Sequence, residues 1–523
     1  MINRRQFLRT AGGSSLAAGL PGGQVRMNRP RPAERFYFRT DDARLQTKYD
    51  SALAGLRNNA IRVNRFVDPV LIEGGNYPGV WLECAPLEGL VYSTISQQLA
   101  TSNHRIFFDF QREDGYLPCY VWRNKIGTGQ IQMVVPIAAT AYELYERTRD
   151  RDFLSRAYTS CSRWDAWLVR YRNTRATGLC EAFCEYDTGH DNSPRWRGKP
   201  KECPNADARI CPRIEGLPYL APDLSASLYG GRVALARMAR ELGNPAEEAR
   251  WQERATATRM AMLDLLYDTR DACFYDVDSS GKFVRIRGDA LTRVLGERVL
   301  PQELFEAVYR RHIRNPSSFW APYPLPSIAL DDPAFVRPIP PNSWGGASQA
   351  LTALRAPRWM EPYGKRGDLT HLMRQWVKAI VAAAGFMQQM DPQTGEFTLD
   401  QGGYSPTMLV LFDFIWRLFG VRREGSCLEW NCRVPDGAGY SKSGIPTAAG
   451  VAELGNGKDG SELMLDGRPL VRLEGQARLI SDLAGKPLKL VGSEPRPLEV
   501  SLHWPNGRTA TYRLMPDAVV PVV

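Results

Sequence analysis

A chain of 523 residues exceeds one small core; at roughly 150 residues per domain it makes about three units, or one large domain with an appendage. Hydrophobic residues make up 43% and charged residues 24%, which excludes wholesale disorder, and no apolar run reaches the length of a membrane span in the mature chain. The net charge of +10, from 67 Lys+Arg against 57 Asp+Glu, is scattered without blocks of one sign, so no nucleic-acid partner is expected.

The chain begins Met1-Ile-Asn-Arg4-Arg5-Gln6-Phe7-Leu8 and continues through a short, weakly apolar stretch to Leu20. A twin arginine before such a stretch resembles a twin-arginine export signal, which predicts a signal over residues 1–28 and a periplasmic or secreted protein. Helical periodicity follows near 44–59, 87–110 and 130–148. Phe153, Leu154, Ala157, Tyr158, Cys161, Trp164, Leu168 and Tyr171 then share one helical face. Tyr229 to Leu242 is periodic, Gly243 can end it, and Asn244-Pro245 with Glu247 can open the next helix, over 246–267. Further helices are expected near 301–311, 345–354, 367–384 and 405–420, with no convincing strand alternation between them. Helical hairpins joined by short links suggest an (α/α)6 toroid over 29–422, and no repeat period supports an elongated array instead.

After Gly420 the pattern changes. Leu498, Val500, Leu502 and Trp504 alternate, Asn506-Gly507 signals a two-residue type I′ turn, and Asp466-Gly467 marks a second turn. Residues 423–523 are therefore expected to form a small β-sandwich-like module, a structural cover for the helical domain. In an exported protein the ten cysteines are free to pair, and a Cys203–Cys211 bridge would pin a Pro-containing loop. Cys84, Cys119, Cys161 and Cys273, in apolar surroundings, read as buried thiols. Five dispersed histidines, no paired Cys-x-x-Cys and no phosphate-cradling glycine loop predict neither a metal centre nor a nucleotide or redox cofactor.

The densest polar segment is Glu181-Ala-Phe-Cys-Glu185-Tyr186-Asp187-Thr-Gly189-His190-Asp191-Asn192-Ser193-Pro194-Arg195-Trp196. Loops of this kind present side chains from scaffold ends, although acids can equally cap the following helix. The segment resembles the Asp-Asn-Ser-Pro-Arg region of the glycoside hydrolases grouped with mannosylglycerate hydrolase, processing α-glucosidase and, more distantly, trehalase. Gln111-Arg112-Glu113-Asp114-Gly115-Tyr116-Leu117-Pro118 is similar to a second segment of that group. So are Pro78-Gly79-Val80-Trp81-Leu82-Glu83, Gly129-Gln130-Ile131, Tyr323-Pro324-Leu325-Pro326-Ser327 and Asp391-Pro392-Gln393-Thr394-Gly395-Glu396. Order and spacing extend the resemblance over most of residues 70–420, and it too implies an (α/α)6 barrel.

The resemblance implies Asp191 as general acid, with Asp187 in reserve. Neighbouring acids and an apolar wall of Phe183, Tyr186 and Trp196 would raise its pKa, as donating a proton to a glycosidic oxygen requires. An inverting partner carboxylate should activate water from the opposite side. Relatives often carry a Glu where this chain has Gln388, and a neutral amide cannot act as base; Glu396 is the acid expected to serve, with Glu83, Glu88 and Glu113 next. Asn192, Arg195, Glu83, Glu113 and Gln130 are expected to contact the sugar, and Trp81, Trp344 and Tyr404 to stack on it. The implied activity is hydrolysis of a terminal, α-linked sugar in an oligosaccharide or small glycoside, with inversion and without a cofactor. Two rivals stand beside it. A toroidal polysaccharide lyase would use His190, Tyr186 and Arg195, and a non-catalytic sugar-binding protein would have lost its base at Gln388.

Overall fold

The computed structural model describes residues 36–398 and 400–523, and the expected export signal lies outside them. Helices dominate up to Gly420: α1 (Ala43–Asn58), α2 (Ala85–Tyr92), α3 (Gln97–Asp109), α4 (Ile137–Thr148), α5 (Arg151–Tyr171), α6 (Pro222–Glu241) and α7 (Pro245–Leu265). They continue as α8 (Ala290–Gly296), α9 (Gln302–Val308), α10 (Ala350–Arg355), α11 (Pro357–Met360), α12 (Arg366–Ala382) and α13 (Ser405–Phe419). Local chemistry sets their starts. The side chains of Asp42, Ser96, Asp150 and Asn244 accept backbone N–H groups at the openings of α1, α3, α5 and α7. Gly243, at φ +80°, terminates the α6 segment as expected, since the chain must turn left-handed there.

Two kinds of helix alternate. α10 is buried throughout, α13 throughout except Arg417, and α2, α4, α6 and α8 bury most of their residues. Such helices must be enclosed, whereas α5 buries one side (Phe153, Leu154, Ala157, Ser160, Cys161, Trp164, Asp165, Trp167 and Leu168) and leaves the other outside the core. The enclosed helices touch in succession, α13 on α2, α2 on α4, α4 on α6 and α6 on α8, with α10 returning to α13. α1, α3, α5 and α7 pack outside them, on α13, α2, α4 and α6 respectively.

Several expectations are corrected. The stretch 87–110 is two helices, because a turn at Ser93–Ser96 intervenes and Ser96 caps α3. α6 starts at Pro222, before the periodic run became visible, and α8 was not foreseen. Short pairings also occur among the helices: Val80–Trp81 with Tyr120–Trp122, and a small sheet containing Glu181–Ala182, Tyr219–Leu220, Asp276–Val277 and Phe283–Val284. Two-residue strands are too short for alternation to register. Among the described residues, no helix is long and apolar enough to cross a membrane.

The C-terminal residues form two antiparallel sheets, of seven and five strands. Tyr37–Thr40 adds to the larger sheet beside Tyr440–Thr447, so the N-terminal end of the helical region is stitched into the β module. The Asp466-Gly467 turn joins its strands with both residues at positive φ, as a type I′ turn requires. At Asn506-Gly507 only Gly507 has positive φ; Trp504 N donates to Arg508 O (2.9 Å) and Gly507 N to Trp504 O (3.0 Å). That is a longer loop closed by a glycine bulge rather than a two-residue turn. All ten cysteines are free. The expected Cys203–Cys211 bridge is not formed, and Cys203 Sγ instead lies 3.7 Å from Cys184 Sγ.

Candidate active site

The loop that follows strand Glu181–Ala182 is held from beneath by charge. Asp187 is fully buried and accepts from the backbone N–H groups of Ile131 (2.8 Å), Phe183 (2.7 Å) and Cys184 (3.2 Å), and from Arg172 (3.0 Å). Its acceptor sites are occupied, so the reserve candidate for the acid is a brace. Arg195 forks onto Asp223 (2.7 and 2.8 Å) and Asp276 (2.7 and 2.6 Å) and donates to His190 Nδ1 at 3.0 Å. His190 then donates from Nε2 to Asp289 (3.3 Å); burial, helped by nearby Arg293, pulls its pKa down to about 3, so the ring is neutral. Asp289 also receives Arg293 (2.7 Å) and Arg355 (2.8 Å). Arg195 was expected to touch sugar, but its guanidinium is committed to these aspartates.

Asp191 stands outside this network. Trp344 N donates to its backbone carbonyl (3.0 Å), fixing its place against the Pro341–Ala347 segment. Asn192 adopts φ +56°; its N–H donates to Glu185 (2.7 Å) and its side chain to Asn342 O (2.8 Å), while Lys201 donates to Asn192 (3.1 Å). Asn192 thus acts as a buttress of the acid's position. Among the described residues, no arginine reaches the Asp191 carboxylate, whose one side-chain donor there is Asn342 at 3.4 Å. Burial raises its pKa to about 6; Asn342 and Lys201 oppose the rise and Glu185 adds to it.

Other carboxylates gather nearby. Glu73 and Glu83 are each pushed well up, first by burial and then by the negative charge of their neighbours, among them Asp191. Gly189, at φ +60°, leaves room for Glu83: a Cβ there would sit 1.6 Å from Glu83 Oε2. Glu73 accepts from Tyr404 (2.6 Å), and Glu88, fully buried beside Cys84, has its pKa pushed up to about 8, chiefly by burial. The charges are unequally shared. Arg293 and Arg355 pull Glu83 toward its anion, whereas Glu73 has no comparable cation among its main influences and faces Glu88 and Asp191. Two close acids cannot both ionise cheaply, and of the two Glu83 is the one whose anion nearby arginines favour.

Tyr77 spans the gap. Its hydroxyl donates to Gln388 Oε1 (3.3 Å), Gln388 donates to Asn342 Oδ1 (3.2 Å), and Asn342 donates to Asp191. Gln388 therefore lies one side chain from Asp191. Glu396 lies elsewhere: it is exposed in the 391–396 turn, and its carboxylate makes no hydrogen bond or ion pair with described residues. Glu113 is likewise exposed, on a turn whose backbone carbonyl accepts from Arg163. Gln130 is buried with its side-chain oxygen unpartnered, Trp344 is buried edge-on to His190, and Trp81 packs beside it, edge-on to Tyr77. Tyr404, buried and bonded to Glu73, is a second-row support rather than an open platform.

Sequence reasoning did not single out Glu73, Tyr77, Asn342, Asp289, Arg293 or Arg355. Glu73 carried one signal, a lone acid between the apolar run Val70-Leu71-Ile72 and the pair Gly74-Gly75. Glu73, Glu83 and Cys84 also place one potential metal-ligand atom each within 4.8 Å of one another, as do Cys184, Asp187 and Cys203. In the second group Asp187 is already saturated by Arg172 and backbone donors.

The family model of the mannosylglycerate hydrolase MGH1-like glycoside hydrolase domain matches residues 77–407. Among solved structures, the chain is similar to a GH63 mannosylglycerate hydrolase from Thermus thermophilus in complex with glucose (19% identity, TM-score 0.58, covering 71% of this chain and 99% of that one). It is also similar to neutral trehalase Nth1 from Saccharomyces cerevisiae (13% identity, TM-score 0.53, 68% and 76% covered). A Streptomyces avermitilis α-L-rhamnosidase complexed with L-rhamnose covers 94% of this chain with 42% of its own length (14% identity, TM-score 0.53). No curated protein matches the sequence.

Proposed function

The chain belongs to the MGH1-like glycoside hydrolase family, and from that premise we propose that it hydrolyses a terminal, α-linked sugar with inversion, using Asp191 as general acid and Glu83 as general base. The enclosed and flanking helices are read as the two layers of an (α/α)6 toroid around this site. One observation carries the chemistry: the Asp191 carboxylate bonds to no arginine among the described residues, burial raises its pKa to about 6, and its charge lies close enough to Glu83 to push that acid up as well. A proton donor must hold its proton near neutrality and its partner must become an anion; burial supplies the first, and Arg293 with Arg355 favour the second against the burial of Glu83. Glu83 takes the place assigned earlier to Glu396, whose exposed turn offers neither burial nor a facing acid.

The lyase alternative fares worse. Its charge-neutralising Arg195 is consumed by two aspartates, and Tyr186 is pushed up to about 12, chiefly by burial, away from the range of a base. The Arg4-Arg5 segment supports export as a folded protein, which fits a glycosidase acting on sugars outside the cytoplasm.

The test pairs two amides. Glu83→Gln is expected to remove most turnover, by about 10²–10⁴-fold, while sugar still binds, and Glu396→Gln to leave turnover near wild type. Inversion is read by NMR of the first-formed anomer. A Glu83→Gln enzyme at full rate, or loss of activity in Glu396→Gln alone, would overturn the assignment of the base.

A further inference from the structure

The acid-bearing loop leaves and returns through a pair of thiols. Cys184 precedes Glu185 at its start, and Cys203 follows at its end, 19 positions later. The two ends run side by side because Glu185 N donates to Pro200 O (2.9 Å) and Tyr186 N to Lys201 O (3.1 Å), while Cys203 N is fixed by Gly129 O (2.9 Å). Both cysteines are buried and form a small cluster with Phe183, and the sulfurs are 3.7 Å apart. A disulfide needs them at about 2.05 Å, a closure of under 2 Å. Cys211, only partly buried, packs on the same cluster and gives a route from the surface. Arg172 donates to Cys203 Sγ at 3.6 Å and to Asp187, so one guanidinium touches both the thiol pair and the floor of the loop.

We propose that Cys184 and Cys203 form a disulfide that closes the loop bearing Asp191, in place of the Cys203–Cys211 bridge that spacing suggests. The reaction is a thiol–disulfide exchange with a small disulfide such as oxidised glutathione. Two S–H bonds and the oxidant's S–S bond break, the protein S–S bond forms, and both protons and both electrons leave as two reduced thiols. The bond is independent of which carboxylate is the base. It restricts the unfolded loop and holds Asp191 between two tied ends.

The test uses the full chain, incubated with oxidised glutathione or with dithiothreitol, alkylated, digested without reduction and mapped by mass spectrometry. The expected result is a peptide joining Cys184 to Cys203 in the oxidised sample alone, unchanged in Cys211→Ser beyond slower formation. Thermal unfolding should rise by a few degrees on oxidation in the wild type and not in Cys184→Ser or Cys203→Ser. A Cys203–Cys211 peptide as the main product, or alkylated Cys184 and Cys203 after prolonged oxidation of wild type, would overturn the proposal.

Discussion

Replacing Asp191 by Asn should cost activity and gain stability. The Asp191 pKa rises from 3.8 to about 6 in the folded chain, chiefly because burial disfavours the anion. Holding that anion at neutral pH therefore costs free energy: about 1.4 kcal/mol per pKa unit gives about 3 kcal/mol as an upper bound. Asp191 retains some solvent contact, and screening reduces the expected gain to about 1–2 kcal/mol. The sign follows from proton binding. The folded state holds the proton more tightly, so stability falls as pH rises from about 4 to about 6, and the penalty is complete above that window. Asn has no such titration and still accepts from Asn342 through its carbonyl oxygen. Urea denaturation at pH 7 should thus show Asp191→Asn the more stable, the difference vanishing near pH 4, while hydrolysis of unactivated glycosides falls about 10²–10⁴-fold. Equal stability at pH 7, or a gain that persists at pH 4, would refute burial of the anion as the origin of the shift.

The rate profile should follow the same group: kcat/KM falls as pH rises through about 6, where Asp191 loses its proton, and an activated leaving group should flatten that limb. A limb unmoved by leaving-group ability would place the titration on another residue. Gly189→Ala puts a methyl group 1.6 Å from Glu83 Oε2 at a position with φ +60°, so the flexible carboxylate must move aside. Turnover should drop at least tenfold, against about 1 kcal/mol of backbone strain; wild-type kinetics would remove Glu83 from the reaction. Replacing Arg4 and Arg5 by Lys should leave precursor in the cytoplasm, and fractionation showing normal export would end the twin-arginine reading.

Helix existence was legible wherever periodicity ran long and a cap stood at its head, as from Gly243 through Asn244 and Pro245 into α7. It failed where three-dimensional context decides. Ser96 looks like any polar residue inside 87–110 until its hydroxyl is seen capping α3. Tyr37–Thr40 shows no local sign that its partner strand lies four hundred residues on, because pairing is a property of two segments. In the site, the loop from Glu181 to Trp196 was found by its density of polar residues, and Asp191 through resemblance. Glu396 was favoured for being the one Glu in its segment, but carboxylate chemistry depends on what faces it across a cavity. Glu73 and Glu83, which feel the charge of Asp191, lie about a hundred residues earlier in the chain.

The deeper difficulty is that acids of opposite use are spelled alike. Asp187, Asp223 and Asp289 are all fully buried, and all are bonded to guanidinium groups. Asp223 and Asp289 are held below the ordinary carboxylate range despite their burial, because Arg195, Arg293 and Arg355 outweigh the loss of water. Such groups stay charged at any working pH and cannot donate a proton; they set the shape of the loop. Asp191 is less buried yet moves the other way, since the arginines beside it are already spent on its neighbours. The same network reaches Glu83 through Arg293 and Arg355 and favours its anion. On the proposed assignment, one set of buried ion pairs does two jobs: it withholds positive charge from the acid, Asp191, and lends it to the base, Glu83. Gln388, uncharged between Tyr77 and Asn342, fits the proposed division, because a further carboxylate there would raise Asp191 again and, on the proposed mechanism, compete with Glu83 for the proton of the attacking water.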